Sequence, residues 1–304
     1  MRIILTGGTG FIGTPLRHEL LAQGHRVILL TRDPARLSHK RSDDRLEVIP
    51  WDGMSLDPLA QRMTTVDAVI NLAGEPIAAQ RWSSAQKEKI LQSRIQGTQA
   101  LIQAMAQAKK RPAVLINASA VGFYGDVPEG DVLETRDQGS GFLADTCHRW
   151  EQEAHQAQAL EVRVVCLRIG IVLGPEGGAL GKMLLPFKMG VGGPLGSGKQ
   201  WFPWIHREDV LGIILFALQQ TGLSGAINVA APDPVRMEEF CRVLGEVMHR
   251  PAWVTTPAWV LKPLLGEMSE LVLAGQKAIP QKLIQAGYHF RYPQLMGALR
   301  DIVR

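Results

Sequence analysis

Short apolar runs recur through the first 230 or so residues, at 2–6, 26–31, 46–50, 67–73, 113–119, 162–168 and 226–230. Several are apolar at nearly every position and do not alternate, as strands covered on both faces should be. Between them lie stretches with helical spacing: 14–22, 83–110 with Ser83 as its N-cap, 142–160 and 210–219. This alternation predicts an α/β fold, a Rossmann-type doubly wound sheet, mostly parallel, with helices on both faces. Two segments break the rhythm. Residues 170–199 hold ten glycines and three prolines, which predicts a loop close to a ligand. From about Pro251 the strand signal fades, and helical pieces punctuated by Pro257, Pro263, Pro280 and Pro293 follow. The expected division is a sheet-bearing domain over 1–235, with a substrate-side loop at 170–205, and a small, mainly helical C-terminal module over 236–304.

The first apolar run feeds directly into Thr6-Gly7-Gly8-Thr9-Gly10-Phe11-Ile12-Gly13, and a helical pattern starts at Thr14. Strand, glycine turn and helix in that order form a dinucleotide-binding arrangement. The early glycines, Gly7 among them, permit the tight turn. Gly10 lets the backbone approach a pyrophosphate, and Gly13 lets helix and strand pack closely. Free amides at the helix start then face the phosphate charge. The second run ends in Thr31-Arg32-Asp33. An NAD site wants a carboxylate at this strand tip for the ribose 2′-hydroxyl, whereas an Arg accommodates a 2′-phosphate. Thr31 and Arg32 stand at the tip, so NADP(H) is the expected cofactor. Asp33 one place later keeps the NAD alternative open, and Arg32 also reads as a solvated loop charge.

Composition narrows the remaining classes. Over 304 residues the chain is 46% hydrophobic and 20% charged, with a net charge of +4, which is ordinary globular composition. The cations are scattered, with Lys109 to Arg111 the densest run, so no nucleic-acid-binding stripe is expected. No apolar run approaches the roughly 20 residues that span a bilayer. Cys147, Cys166 and Cys241 give an odd count without metal-ligand spacing. With a first strand starting at Arg2 and no leader pattern, a cytoplasmic protein without a metal, taking a small-molecule substrate, is the expectation. Gly193 to Lys199 nearly spells a phosphate-binding loop for ATP, but Gln200 stands where the magnesium-binding Ser or Thr belongs. His206 and Asp209 lack a Gly-x-Ser-x-Gly elbow and read as pins at the start of a helix.

Together these residues resemble the extended short-chain dehydrogenase/reductase family. They are most similar to its atypical branch, labelled nucleoside-diphosphate-sugar epimerases or cell-division-inhibitor-like proteins. The resemblance rests on the glycine turn, Asn71-Leu72-Ala73-Gly74-Glu75-Pro76-Ile77, Arg81-Trp82 and Ser93-Arg94-Ile95-Gln96-Gly97-Thr98. It continues through Gly192 to Gly198, Trp204-Ile205-His206-Arg207-Glu208-Asp209, Gly266-Glu267-Met268 and Ala286 to Pro293, covering essentially the whole chain. It implies that Thr9, Gly10, Phe11 and Ile12 cover the pyrophosphate, Arg32 meets the 2′-phosphate, and Asp52 lies by the adenine. It further implies that Leu72, Ala73 and Gly74 line the adenosine ribose side, Arg94 reaches phosphate or ribose, and Ile171 approaches the nicotinamide. Leu72 and Ile171 read equally as core, and Asp52 as a turn-former. Lys199, Trp201 and Trp204 would border the substrate cleft, or the tryptophans would simply pack the loop.

The family's catalytic set is a Ser followed by Tyr-x-x-x-Lys, in which the Tyr moves a proton and the Lys lowers its pKa. Ser119 matches the first position. Aligning the later helix on Glu151 puts Leu143 and Cys147 at the other two, and neither does that chemistry. Tyr124 is the nearest alternative phenol, so Ser119 and Tyr124 are the candidate catalytic residues, and a tyrosine at this place in the larger family also reads as structural. An unassisted Tyr has a pKa near 10 and donates more readily than it abstracts, which favours reduction. The expectation is an NADP-dependent epimerase-like oxidoreductase acting on a small polar or sugar-derived substrate. The alternative is a non-catalytic NADP(H)-binding redox sensor or scaffold.

Overall fold

A computed structural model describes residues 1–37, 43–175 and 177–303. Its strands in chain order are β1 (Arg2–Thr6), β2 (Arg26–Thr31), β3 (Leu46–Pro50), β4 (Ala68–Asn71), β5 (Val114–Ala120), β6 (Val127–Val132) and β7 (Arg163–Ile169). They continue as β8 (Ile171–Leu173), β9 (Trp201–Phe202), β10 (Trp204–His206), β11 (Gly225–Val229), β12 (Val235–Arg236) and β13 (Gln276–Ala278). Seven of them form one parallel sheet in the order β11-β7-β5-β4-β1-β2-β3. The expected doubly wound parallel sheet is therefore present, and each apolar run became one of its strands. β4 is buried at every position and β1 at all but its first residue, which is why these strands read as continuous apolar runs.

Helices cover both faces. On one, Leu16 and Leu20 of α1 (Gly13–Ala22) pack with residues of a later helix, Val210, Ile213 and Ala217, against β1, β2 and β7. On the other, α2 (Asp57–Met63) and α3 (Ser84–Gln107) bring Leu59, Met63, Leu101 and Met105 against Ile4, Ile28 and Val69. Fully burying each such side chain stabilises the fold by roughly 1.5–3 kcal/mol. Ser83 caps α3 as expected, its side chain accepting from the Gln86 amide at 3.2 Å. α4 (Phe142–His155) follows β6.

The 170–199 segment departs from the loop expectation. It contains β8 and a helix, α5 (Gly178–Lys188), whose Leu180, Met183, Leu184 and Phe187 fall on one helical face. That face joins a core with Trp204 and with Met237, Phe240 and Leu244 of α7 (Met237–Met248), which follows α6 (Arg207–Gln219). The tail continues with α8 (Ala258–Leu265), α9 (Glu270–Leu273), α10 (Gln281–Gln285) and α11 (Leu295–Ile302). Leu295, Ala298 and Leu299 of α11 enter the same core, so the helical layer is built jointly by 171–204 and the tail. The tail also reaches the main body through β13, which pairs with β6. Asp209 holds it further, accepting from the Arg291 and Tyr292 amides at 2.7 and 2.9 Å. Among the described residues no helix is long and apolar enough to cross a membrane.

Candidate functional site

The chain runs outward from β1 to β3 on one side of the sheet, then returns to place β4, β5, β7 and β11 on the other. In a doubly wound sheet the crevice at that reversal, beyond the strands' C-terminal ends, is the ligand site. The glycine turn lies there. Gly7 has φ +66°, and a Cβ on it would sit 2.5 Å from the Leu72 carbonyl oxygen; a Cβ on Gly13 would collide with the Gly7 carbonyl. Neither position admits a side chain. At Gly10 an added Cβ meets only the Gly7 oxygen, at 3.3 Å, so the space above that residue is open. The N-cap residue of α1, Ile12, offers no side-chain hydrogen bond, the Thr14 amide donates to the Gly10 carbonyl at 2.9 Å and Pro15 has no N–H, which leaves the Gly13 amide at the helix start for a ligand. These features fit a dinucleotide pyrophosphate.

A buried polar chain pins the three strand ends. The Thr6 hydroxyl donates to Asn71 Oδ1 at 2.6 Å and accepts from the Ala73 amide at 3.1 Å. Asn71 Nδ2 donates to Thr98 Oγ1 and to Asn117 Oδ1, at 3.0 and 2.7 Å. Trp150 Nε1 donates to the same Thr98 oxygen at 3.0 Å, tying α4 to α3. Sequence reasoning missed Thr6, Thr98 and Asn117. For Thr6 the signal was available, because a polar residue at the end of an otherwise apolar strand must find a partner when buried; Thr98 lies inside α3 and Asn117 inside β5.

Around this centre the other candidates fall as follows. Thr31 is buried at the end of β2, and its hydroxyl accepts from the Asp33 amide at 3.2 Å. Arg32 beside it is exposed. Asp52 is exposed and accepts from the Met54 and Ser55 amides, both at 2.8 Å, and from the Ser55 hydroxyl. Those bonds hold its carboxyl below the usual range and make it the organiser of a turn. Leu72 to Gly74 leave the end of β4. A Cβ on Gly74 would lie 3.0 Å from Arg94 Cζ, so Arg94 closes over this segment. Arg94 sits 5.1 Å from the Trp150 ring and donates through Nη1 to the Ile90 and Glu75 carbonyls, at 2.8 and 3.1 Å. Ile171 is half-buried in β8, its amide donating to Pro203 at 2.7 Å.

Ser119 lies near the end of β5 and is 4% exposed, its hydroxyl donating to Glu151 Oε1 of α4 at 2.6 Å. Glu151 is gripped bidentately by Arg168 of β7, at 2.9 and 2.8 Å. Arg168 also donates to the Tyr124 hydroxyl at 2.8 Å, and its guanidinium lies 3.5 Å over the Phe123 ring. Tyr124 in turn donates to Asn228 Oδ1 of β11 at 2.7 Å. Only 2% exposed, Tyr124 has its hydroxyl pushed up by burial to about 12. Tyr124, read from sequence as either a proton donor or a structural residue, is a strut between β7 and β11. Leu143 and Cys147 stand one turn apart on α4. Leu143 Cβ is 3.2 Å from where a Gly122 Cβ would be, and burial pushes the Cys147 thiol up to about 11.

On the substrate side, Trp204 is buried and donates to the Asp233 carbonyl, while Trp201 lies under the Arg236 guanidinium at 4.3 Å. Both tryptophans pack the loop. Lys199 is exposed beside a groove of about 440 Å³ that Asp126, Glu129 and Arg236 also line. His206 and Asp209 do pin the start of α6: His206 Nδ1 accepts from the Glu208 amide at 3.1 Å.

Comparison with known proteins agrees with this geometry. The NAD dependent epimerase/dehydratase family matches residues 3–230, and a domain of unknown function matches 256–302. Epimerase family protein YfhF of Bacillus subtilis is 40% identical over 306 residues, covering 100% of this chain and 98% of that one. The bovine epimerase family protein SDR39U1 is 38% identical, with 100% of both chains covered. A crystal structure of human SDR39U1 with NADPH superposes with a TM-score of 0.86 at 34% identity, covering 99% of each chain. With its glycine turn, its sheet order and these full-length relatives, the chain belongs to the NAD dependent epimerase/dehydratase family.

Proposed function

We propose that the chain is an epimerase-like oxidoreductase that uses NADP(H) on a small polar or sugar-derived substrate. The observation that carries this reading is the cradle at the sheet's reversal, closed to side chains at Gly7 and Gly13 and open above Gly10. In it Thr9 to Ile12 and the start of α1 hold the pyrophosphate. Arg32 takes the 2′-phosphate, Asp52 borders the adenine, Leu72 to Gly74 and Arg94 hold the ribose side, and Ile171 flanks the nicotinamide. When bound, the cofactor supplies or accepts the hydride.

The proton side rests on Ser119. Leu143 cannot transfer a proton, and the Cys147 thiol, pushed up to about 11 by burial, stays protonated near neutral pH and gives no charge. Tyr124 spends its hydrogen on Asn228 and a lone pair on Arg168, so it positions Arg168 and does not act as the acid. Ser119 has given its hydrogen to Glu151 and meets a substrate hydroxyl as an acceptor. A hydrogen passing from that hydroxyl to Ser119 displaces the one already shared with Glu151. This polarity suits an alcohol substrate, in place of the reductive preference a free tyrosine would carry.

The same replacements at Leu143 and Cys147, with Tyr124 locked, favour a second reading: an NADP(H)-binding sensor without turnover. Screening polyols, sugars, nucleotide sugars and their carbonyl counterparts for NADP(H) turnover separates the two. Turnover that disappears in Ser119→Ala and survives in Tyr124→Phe supports the enzyme. Tight NADPH binding with no turnover across the panel supports the sensor.

A further inference from the structure

Phe11, at the centre of the glycine turn, is enclosed by a second glycine cluster from the other end of the site. A Cβ on Gly174, Gly177 or Gly178 would come within 3.1, 2.9 and 3.0 Å of its ring. Gly174, Gly177 and Gly178 are thus bare of side chains where they meet this ring. Over the ring, 5.0 Å from its centroid, lies the guanidinium of Arg207, the first residue of α6. Arg207 is half-buried, and its only hydrogen bond among the described residues is a long one, from Nη1 to the Pro175 carbonyl at 3.4 Å. Its Nε is buried with no acceptor. No carboxylate among the described residues pairs with it. A buried guanidinium Nε without an acceptor is an unfavourable arrangement that a bound anion would relieve.

We propose that Arg207 is a cofactor-binding residue that pairs with the NADP(H) pyrophosphate at the Phe11 turn. This rests on the cofactor reading and extends it: the glycine turn offers amide dipoles, while Arg207 brings a full charge from the start of α6, which packs beside α1 on the same face of the sheet. The two glycine clusters give Arg207 and the turn a common seat on Phe11. A planar guanidinium suits this place, because it can stack on the ring and still direct N–H groups at phosphate oxygens.

The test compares two ligands by calorimetric titration. NADPH carries the pyrophosphate, whereas adenosine 2′-monophosphate carries only the adenine, ribose and 2′-phosphate portion and has no phosphate to place at the Phe11 turn. Arg207→Met, which keeps the length of the side chain, is expected to weaken NADPH by about tenfold or more. Adenosine 2′-monophosphate should bind as to the unaltered protein, and Arg207→Lys should recover part of the NADPH affinity. Unaltered NADPH affinity in Arg207→Met overturns the proposal. Equal weakening of both ligands also overturns it, because the loss is then a loosened site and not a missing pyrophosphate contact. Failure of the unaltered protein to bind NADPH is a separate outcome and defeats the cofactor reading beneath it.

Discussion

Arg32 and Gly10 carry the most specific residue-level consequences. Arg32 is exposed at the tip of β2, where the proposed charge-assisted pair with the 2′-phosphate would be worth roughly 1.5–3 kcal/mol, about tenfold to a hundredfold in affinity. Arg32→Ala should lose that factor for NADPH and leave NADH affinity unaltered, as titration with each will report. Gly10→Val should abolish cofactor binding in a chain that still folds, because its side chain would enter the space above the turn while meeting only the Gly7 oxygen. Tyr124→Phe is expected to keep cofactor binding and to lower stability by about 1–3 kcal/mol in urea unfolding, since it leaves Asn228 and Arg168 each short of one buried partner. Stability within error of the unaltered protein would remove the strut. The glycine turn was legible because its chemistry lies within eight consecutive residues. The locking of Tyr124 was not, because Arg168 and Asn228 lie 44 and 104 residues away in sequence.

At the level of elements, apolar runs announced all seven sheet strands, because a strand buried on both faces has little freedom in composition. β6 and β13 escaped notice: β6 is exposed along its middle and holds Pro128 and Gly130, so pairing and not burial makes it a strand. α5 was hidden by the glycines and proline around it, although Leu180, Met183, Leu184 and Phe187 carry helical spacing. The start of α6 predicts a pH dependence. His206 is 1% exposed, and burial lowers its imidazole from 6.5 to about 4, a fall that Asp301 at 3.5 Å partly offsets. The unfolded chain therefore takes up this proton at a higher pH than the folded one. The stabilisation is complete above about 6.5 and is lost as pH falls towards about 4, by up to about 3 kcal/mol. Denaturant midpoints across that range should decline less steeply in His206→Asn, whose side chain can still cap Glu208. Identical slopes would show that His206 does not titrate this way.

For the molecule as a whole, the Ser119–Glu151–Arg168–Tyr124–Asn228 chain joins α4, β5, β7 and β11. It ends on the tail, with Asn228 Nδ2 donating to the Ile279 carbonyl at 2.9 Å. The Arg168–Glu151 pair at its centre is almost fully buried, so Glu151→Ala leaves an unpaired guanidinium inside the protein. The expected destabilisation is about 3–5 kcal/mol, seen in unfolding curves as one cooperative loss across sheet and tail.

The central claim is that this fold holds NADP(H) at the glycine turn and reads the 2′-phosphate with Arg32. Calorimetric titration of the unaltered protein with NADPH and with NADH, at one salt concentration, tests it most directly. The account predicts NADPH binding tighter by about tenfold or more. Equal affinity for the two, or binding of neither, would contradict it.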